Sequence, residues 1–223
     1  MIRNVRTFGH FCLVARTLER VGDRWSLLVI RDLLTGPKRF TDLMDRLGGI
    51  TPKTLSQRLR ELEEDGIVIA DREPGRREVR YRLTPAGAEL DGVVEALNQW
   101  GLRHAWRWPQ PGEPMHAEHL LRTAVEAIDR AADDHRPARW HFRLDGTDYL
   151  VRSTGDRWTM TAEAPSTPAD VTVTGTAAGL AALIFTTSDR DVTIAGDVEA
   201  TERLKHLLGT LATVVPPATY PQP

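Results

Sequence analysis

Residues 51–60, TPKTLSQRLR, set hydroxyls, cations and an amide at spacings that suit an anionic polymer. At about 100° per residue, Leu55, Leu59 and Leu62 share one helix face, while Lys53, Gln57, Arg60 and Glu64 fall opposite, flanked by Ser56 and Glu61. Thr51, Lys53 and Thr54 stand at the helix start, where unpaired amides and the positive dipole end favour phosphate. Ser56, Gln57 and Arg60 lie where they would reach base edges, because glutamine pairs with adenine and arginine with guanine in the major groove. Arg58 sits on the flank, toward backbone or the domain's own acids. In the stretch REPGRRE, Arg76 and Arg77, followed by Arg80, mark a turn between two alternating runs, a setting for phosphate or minor-groove contact. Each arginine taken singly is an ordinary solvated charge. Their order, a helix followed by a basic hairpin, points to double-stranded DNA.

No comparable constellation supports catalysis. His116 and His119 are three apart on a helix, yet no nearby cysteine or H-E-x-x-H pattern joins them, so exposed surface is expected and no metal. There is no nucleophile elbow, P-loop or dinucleotide glycine pattern, so neither an enzyme nor a cofactor is expected. GDRW occurs at 22–25 and 155–158, in helical and strand contexts that make it no repeat. Cys12 is the one cysteine, which excludes an internal disulfide.

The chain of 223 residues, 41% hydrophobic and 27% charged, suffices for one large domain or two small ones. No apolar run approaches the roughly 20 residues that span a bilayer, and the N-terminus lacks a signal-peptide core, so a cytoplasmic chain without a membrane partner is expected. The net charge of −2 hides an asymmetry. Residues 1–90 hold 17 Lys/Arg against 13 Asp/Glu, and residues 91–223 hold 12 against 18. A basic front and an acidic back imply different partners.

The elements that position the basic residues follow from local signals. Apolar positions from Leu13 to Val21 and from Trp25 to Leu34 predict two helices, with Asp23 as cap of the second from about Arg24 and Gly36-Pro37 as its stop. RFTDLMDRLGG predicts a short third helix. Thr51 as N-cap, Pro52 at the first helical position and Gly66 past the last turn bound the fourth. Then the period changes: Ile67 and Ile69, and Val79, Tyr81 and Leu83 against Arg80 and Arg82, predict a hairpin. Thr84-Pro85 opens another helix with an apolar stripe through Leu90, Val93, Val94, Leu97 and Trp100.

Helix, turn, helix and a basic-tipped hairpin make a winged helix-turn-helix. Residues 12–90 resemble the HxlR family of transcriptional regulators, on the motifs GDRWSLLVIRDLLTGPKRFTDLMDRLGGITPKTLSQRLRELEEDGIV and VRYRLTPAGAEL after Cys12. The chain departs from the family pattern at Leu13, where proline is usual. The resemblance implies a homodimer built by the N-terminal helix and the helix from Pro85; the alternative is that the latter helix packs only on its own C-terminal half. It also implies a redox or electrophile sensor at Cys12, where a lone thiol can pair only between subunits or with a small thiol and Arg16 one turn on would lower its pKa; the alternative is a small residue at the dimer interface.

The expected organisation is a DNA-binding and dimerisation domain over 1–108, a proline-rich linker over 109–114, a second domain over 115–215 and a tail over 216–223. In the second, HAEHLLRTAVEAIDRAAD predicts an amphipathic helix. RWHFRLDG, DYLVRS, RWTMTAE and ADVTVTG predict strands, TAAGLAALIF a helix, RDVTIAGD a strand, and DVEATERLKHLLGTL a helix capped by Asp197. The class is α+β. ADVTVTGTAAGLAALIF and DVTIAGDVEATERLKHLL are similar to the sterol carrier protein type 2 fold, which implies an apolar ligand between sheet and helices. Trp140, Phe142, Trp158, Met160, Leu183, Phe185 and Ile194 would line that pocket or simply form the core.

The expectation is therefore a homodimeric regulator that reads a palindromic operator, with an apolar small-molecule effector in its second domain. Two alternatives stand beside it: a second domain that is a ligand-free spacer or dimer-building module, and an enzyme carrying a DNA-targeting domain.

Overall fold

Leucines four and three residues apart give residues 52–64 one apolar stripe, and in the computed structural model Leu55, Leu59 and Leu62 are each at most 1% exposed. The structure describes residues 7–72, 78–131 and 134–214, and the chain divides into two units that meet in sequence between Val94 and Glu95.

The first unit runs α1 (Leu13–Val21), α2 (Ser26–Leu34), β1 (Lys38–Arg39), α3 (Phe40–Leu47), α4 (Pro52–Glu64), β2 (Val68–Asp71), β3 (Arg80–Leu83), α5 (Pro85–Ala88) and the start of α6 (Asp91–His104). Its antiparallel sheet has the order β1-β3-β2, the wing of a winged helix-turn-helix. Val29, Ile30, Leu33 and Leu43 join the α4 leucines in the core. Gly66 at φ +69° lets the chain turn out of α4 while Ile67 N–H bonds back to Leu62 O at 2.9 Å.

Several local expectations shift. Asp23 accepts from Trp25 N–H at 2.9 Å but the helix begins at Ser26, so the aspartate orders the approach rather than the first turn. The predicted alternation of Ile67 with Ile69 breaks: Ile67 and Val68 are buried and Ile69 is 37% exposed. Ile67 still belongs to the helix exit, and strand parity starts at Val68, paired with Leu83. The helix from Pro85 is two pieces, with Thr84 Oγ1 accepting from Gly87 N–H at 3.0 Å to cap the first.

The second unit continues through α6 into α7 (Ala117–Ala131), β4 (Ala138–Leu144), β5 (Thr147–Ser153), β6 (Trp158–Thr161), β7 (Val171–Gly175), α8 (Ala177–Thr186), β8 (Val192–Gly196) and α9 (Val198–Val214). The sheet order is β6-β5-β4-β7-β8, with β4 and β7 parallel and the other pairs antiparallel. Asp145 (φ 50°) and Gly146 (φ 79°) make the tight β4–β5 turn. One sheet face, through Trp140, Phe142, Leu144, Val171 and Val173, packs with the apolar sides of α7, α8 and α9. Asp197 caps α9, accepting from Ala200 N–H at 3.0 Å.

The segment before α7 is ordered against the unit it leads into. Trp106 and Trp108 lie 4.0 and 6.5 Å from Phe185 of α8, centroid to centroid. Arg107 forks onto Glu113, which also accepts from Gln110 N–H at 2.8 Å and is held down to about 2 by that guanidinium and then by the amide.

Candidate nucleic-acid interface

Two helices and the turn between them set the interface. Arg39 N–H donates to Asp42 Oδ2 at 2.9 Å and starts α3. Ile50, 6% exposed, pins the turn after Gly48-Gly49. Thr51 Oγ1 then accepts from Thr54 N–H at 3.2 Å and meets Thr54 Oγ1 at 2.8 Å, which fixes the start of α4 with Pro52 in its first turn.

The buried stripe turns Lys53, Ser56, Gln57 and Arg60 outward, all exposed, with Thr51 exposed and Thr54 half-buried. Lys53 has no ion pair among the described residues. Arg60 faces Glu64 only at 4.0 Å. Gln57 Nε2 donates to Glu61 Oε1 at 3.0 Å. Arg58 is turned into its own domain: Nη1 lies 2.6 Å from Glu61 Oε2 and Nε 3.6 Å from Asp23 Oδ1.

On the wing, Arg80 Nε donates to Glu78 Oε1 at 3.0 Å, and Arg39 Nε lies 3.4 Å from the same oxygen. Arg76 and Arg77 lie outside the described residues. Two features escaped the sequence reading. Strand β1 pairs Arg39 with Arg80 and so adds a cation beside the wing. Asp32, with a fully buried side chain, holds Arg46 Nε of α3 at 2.6 Å and Arg31 Nη2 at 2.9 Å, bracing α2 against the first helix of the motif. An aspartate one turn after Val29, on the apolar side of α2, is the signal that could have revealed it.

Cys12 precedes α1, is exposed and makes no side-chain cap bond. The Arg16 guanidinium lies 5.0 Å from the Phe11 ring. Leu13, Val14 and Leu18 of α1 and Val93, Leu97 and Trp100 of α6 are exposed at 41–80%. In the second unit, Trp140, Phe142, Trp158 and Leu183 are at most 4% exposed, and Met160, Phe185 and Ile194 pack half-buried against them. The Trp140 and Trp158 rings are 4.4 Å apart. Among the described residues no cluster of three metal-ligating side chains occurs, and no helix is long and apolar enough to cross a membrane.

A profile described as HxlR-like helix-turn-helix matches residues 20–108. An HTH-type transcriptional regulator of Synechocystis is 38% identical over 94 residues, 42% of this chain and 70% of the relative. One of Mycobacterium tuberculosis is 43% identical over 110 residues, 48% of this chain and 66% of the relative. The crystal structure of the HTH-type regulator ytcD aligns at a TM-score of 0.41 with 36% identity, covering 43% of this chain and 99% of that one.

Proposed function

The chain belongs to the HxlR-like helix-turn-helix family of transcriptional regulators, and on that premise we propose that it binds a palindromic operator as a homodimer, with Thr51, Lys53 and Thr54 on phosphate and Ser56, Gln57 and Arg60 on bases. The observation that carries this reading is the outward row of α4, held in place by a leucine stripe at most 1% exposed. Arg76, Arg77 and Arg80 serve the phosphates at the wing. Exposed leucine, valine and tryptophan on α1 and α6 supply apolar surface for a second copy, although Arg130 of α7 also pairs with Glu95 of α6. Two copies of α4 in successive major grooves would set the half-sites about 34–36 Å apart. Hydroxyl-radical footprinting on a selected site tests this: two protected patches about one helical turn apart are expected, and one continuous patch without symmetry contradicts the dimer.

For the second unit the proposal is a sterol-carrier-like domain that holds an apolar effector. Its support is helices over one face of a five-stranded sheet, and a buried Trp140 Nε1 with no acceptor among the described residues, a donor that a ligand carbonyl or hydroxyl would satisfy. The ligand-free module keeps support of its own: Trp140, Phe142 and Trp158 pack closely, and Phe185 is covered by Trp106. Native mass spectrometry of gently purified protein separates them. A co-purifying apolar mass supports the effector, and a bare chain supports the module.

A further inference from the structure

The sheet of the second unit has a face that its own helices do not cover, and that face is basic although the unit is acidic. Residues 95–223 hold 12 Lys/Arg against 17 Asp/Glu. The alternation that sends Trp140, Phe142 and Leu144 into the core sends Arg139, His141 and Arg143 the other way. Across the β4–β5 ladder Arg139 stands directly opposite Arg152, so two guanidiniums share one position of the face. Like charges so placed cost the sheet stability.

The cations of this face belong to the unpaired half of the unit's twelve Lys/Arg. Arg107, Arg122, Arg130, Arg136, Arg203 and Lys205 each meet a carboxylate. Arg139, Arg143 and Arg152, like Arg103, Arg157 and Arg190 elsewhere in the unit, have no ion pair among the described residues. Asp148 is opposite Arg143 in register, yet its carboxylate goes to His141 Nε2 at 2.7 Å. The Arg139 guanidinium bonds Thr167 Oγ1, and Asp170 takes the Arg139 backbone N–H at 2.7 Å. Around these cations the neighbouring strands place hydroxyls: Thr159 beside Arg152, Thr172 beside His141 and Thr174 beside Arg143. Arg139 and Arg143 lie four residues apart on one strand, about 13 Å.

We infer that this face binds the phosphate backbone of duplex DNA without reading its sequence. Three guanidiniums that form no ion pair among the described residues, with threonine side chains beside them, are the chemistry of phosphate contact. The face offers no exposed aromatic ring for stacking single-stranded bases and no exposed large apolar side chain for entering a lipid surface. The inference rests on the reading of the chain as a DNA-binding protein, since α4 would bring DNA to the tethered second unit at high local concentration.

The test measures full-length protein on a 60-base-pair duplex of mixed sequence across a salt series. Removing two phosphate-binding guanidiniums in Arg143→Gln/Arg152→Gln should lower the slope of log affinity against log salt by about 1.8. Arg143→Lys/Arg152→Lys, which keeps the charges, should hold the parent slope, as should Arg190→Gln in the loop between α8 and β8. A parent slope in the double glutamine variant, with an unchanged melting temperature, overturns the inference. So does a double glutamine variant that binds polyglutamic acid more weakly than the parent while its DNA binding is unaltered, which would assign the face to an acidic protein. If the parent chain shows no DNA binding while every variant melts normally, the DNA-binding reading itself has failed, and this inference falls with it.

Discussion

Gln57 Nε2 donates to Glu61 Oε1 at 3.0 Å, so the amide assigned to a base edge is held by a carboxylate one turn along α4. Arg58 occupies the other oxygen of Glu61 at 2.6 Å. Glu61 thus holds Gln57 in place and draws Arg58 away from the outward row of α4. Glu61→Ala should strengthen binding to random DNA several-fold, because a carboxylate leaves the neighbourhood of the phosphates. It should also narrow the preference for a selected site by about tenfold, or ~1.4 kcal/mol. Anisotropy titrations on both duplexes check this; an unchanged preference would remove Glu61 from the reading machinery.

Gln57→Ala and Arg60→Ala should each cost about 1–3 kcal/mol on the selected site and little on random DNA. Equal losses on the two duplexes would move these residues from bases to phosphate.

Asp32 should matter to folding and not to sequence preference. Its buried carboxylate holds Arg46 at 2.6 Å, and Asp32→Ala leaves that guanidinium, 18% exposed, without this partner. Breaking such a pair by removing one member costs on the order of 3 kcal/mol. Urea denaturation of the full chain reads the loss, and a cost below about 1 kcal/mol would show that the pair does not brace α2 against α3.

The acid limb of stability should involve Asp134. Arg136 and then Arg203 hold its carboxyl well below the ordinary 3.8, each through two bonds of 2.9–3.0 Å. A carboxyl whose pKa falls on folding stabilises the native state above its unfolded pKa and loses that contribution as pH drops through the folded value. Asp134→Asn should therefore melt below the parent at pH 7, and the gap should close progressively below about pH 4. A gap constant from pH 7 to pH 2 would mean that the asparagine costs packing rather than charge.

Much of this architecture was legible in the sequence wherever the signal is local. Thr51, Pro52, the leucine stripe and Gly66 bound α4 within a residue, because cap, ring and left-handed turn act on their immediate neighbours. Trp140, Phe142 and Leu144 alternate into the core as their period requires. What stayed hidden depends on distant partners. Lys38 and Arg39 become a strand only because Tyr81 and Arg80 lie beside them. Residues 109–114 have a linker's prolines, yet just before them Trp106 and Trp108 rest on Phe185, placed there by a helix some eighty residues further along. The Gln57–Glu61 bond joins two residues that the helical spacing had placed on neighbouring faces, with no sign in the sequence of which partner Glu61 would take.

The central claim is that α4 reads DNA sequence. Its most direct test is selection from a randomised duplex pool by the full-length protein, with Gln57→Ala/Arg60→Ala carried in parallel. The parent should enrich an inverted repeat with half-site centres about 10 base pairs apart, and the double variant should retain salt-dependent binding but enrich no such repeat. Enrichment of the same repeat by both proteins, or of none by the parent, would contradict it.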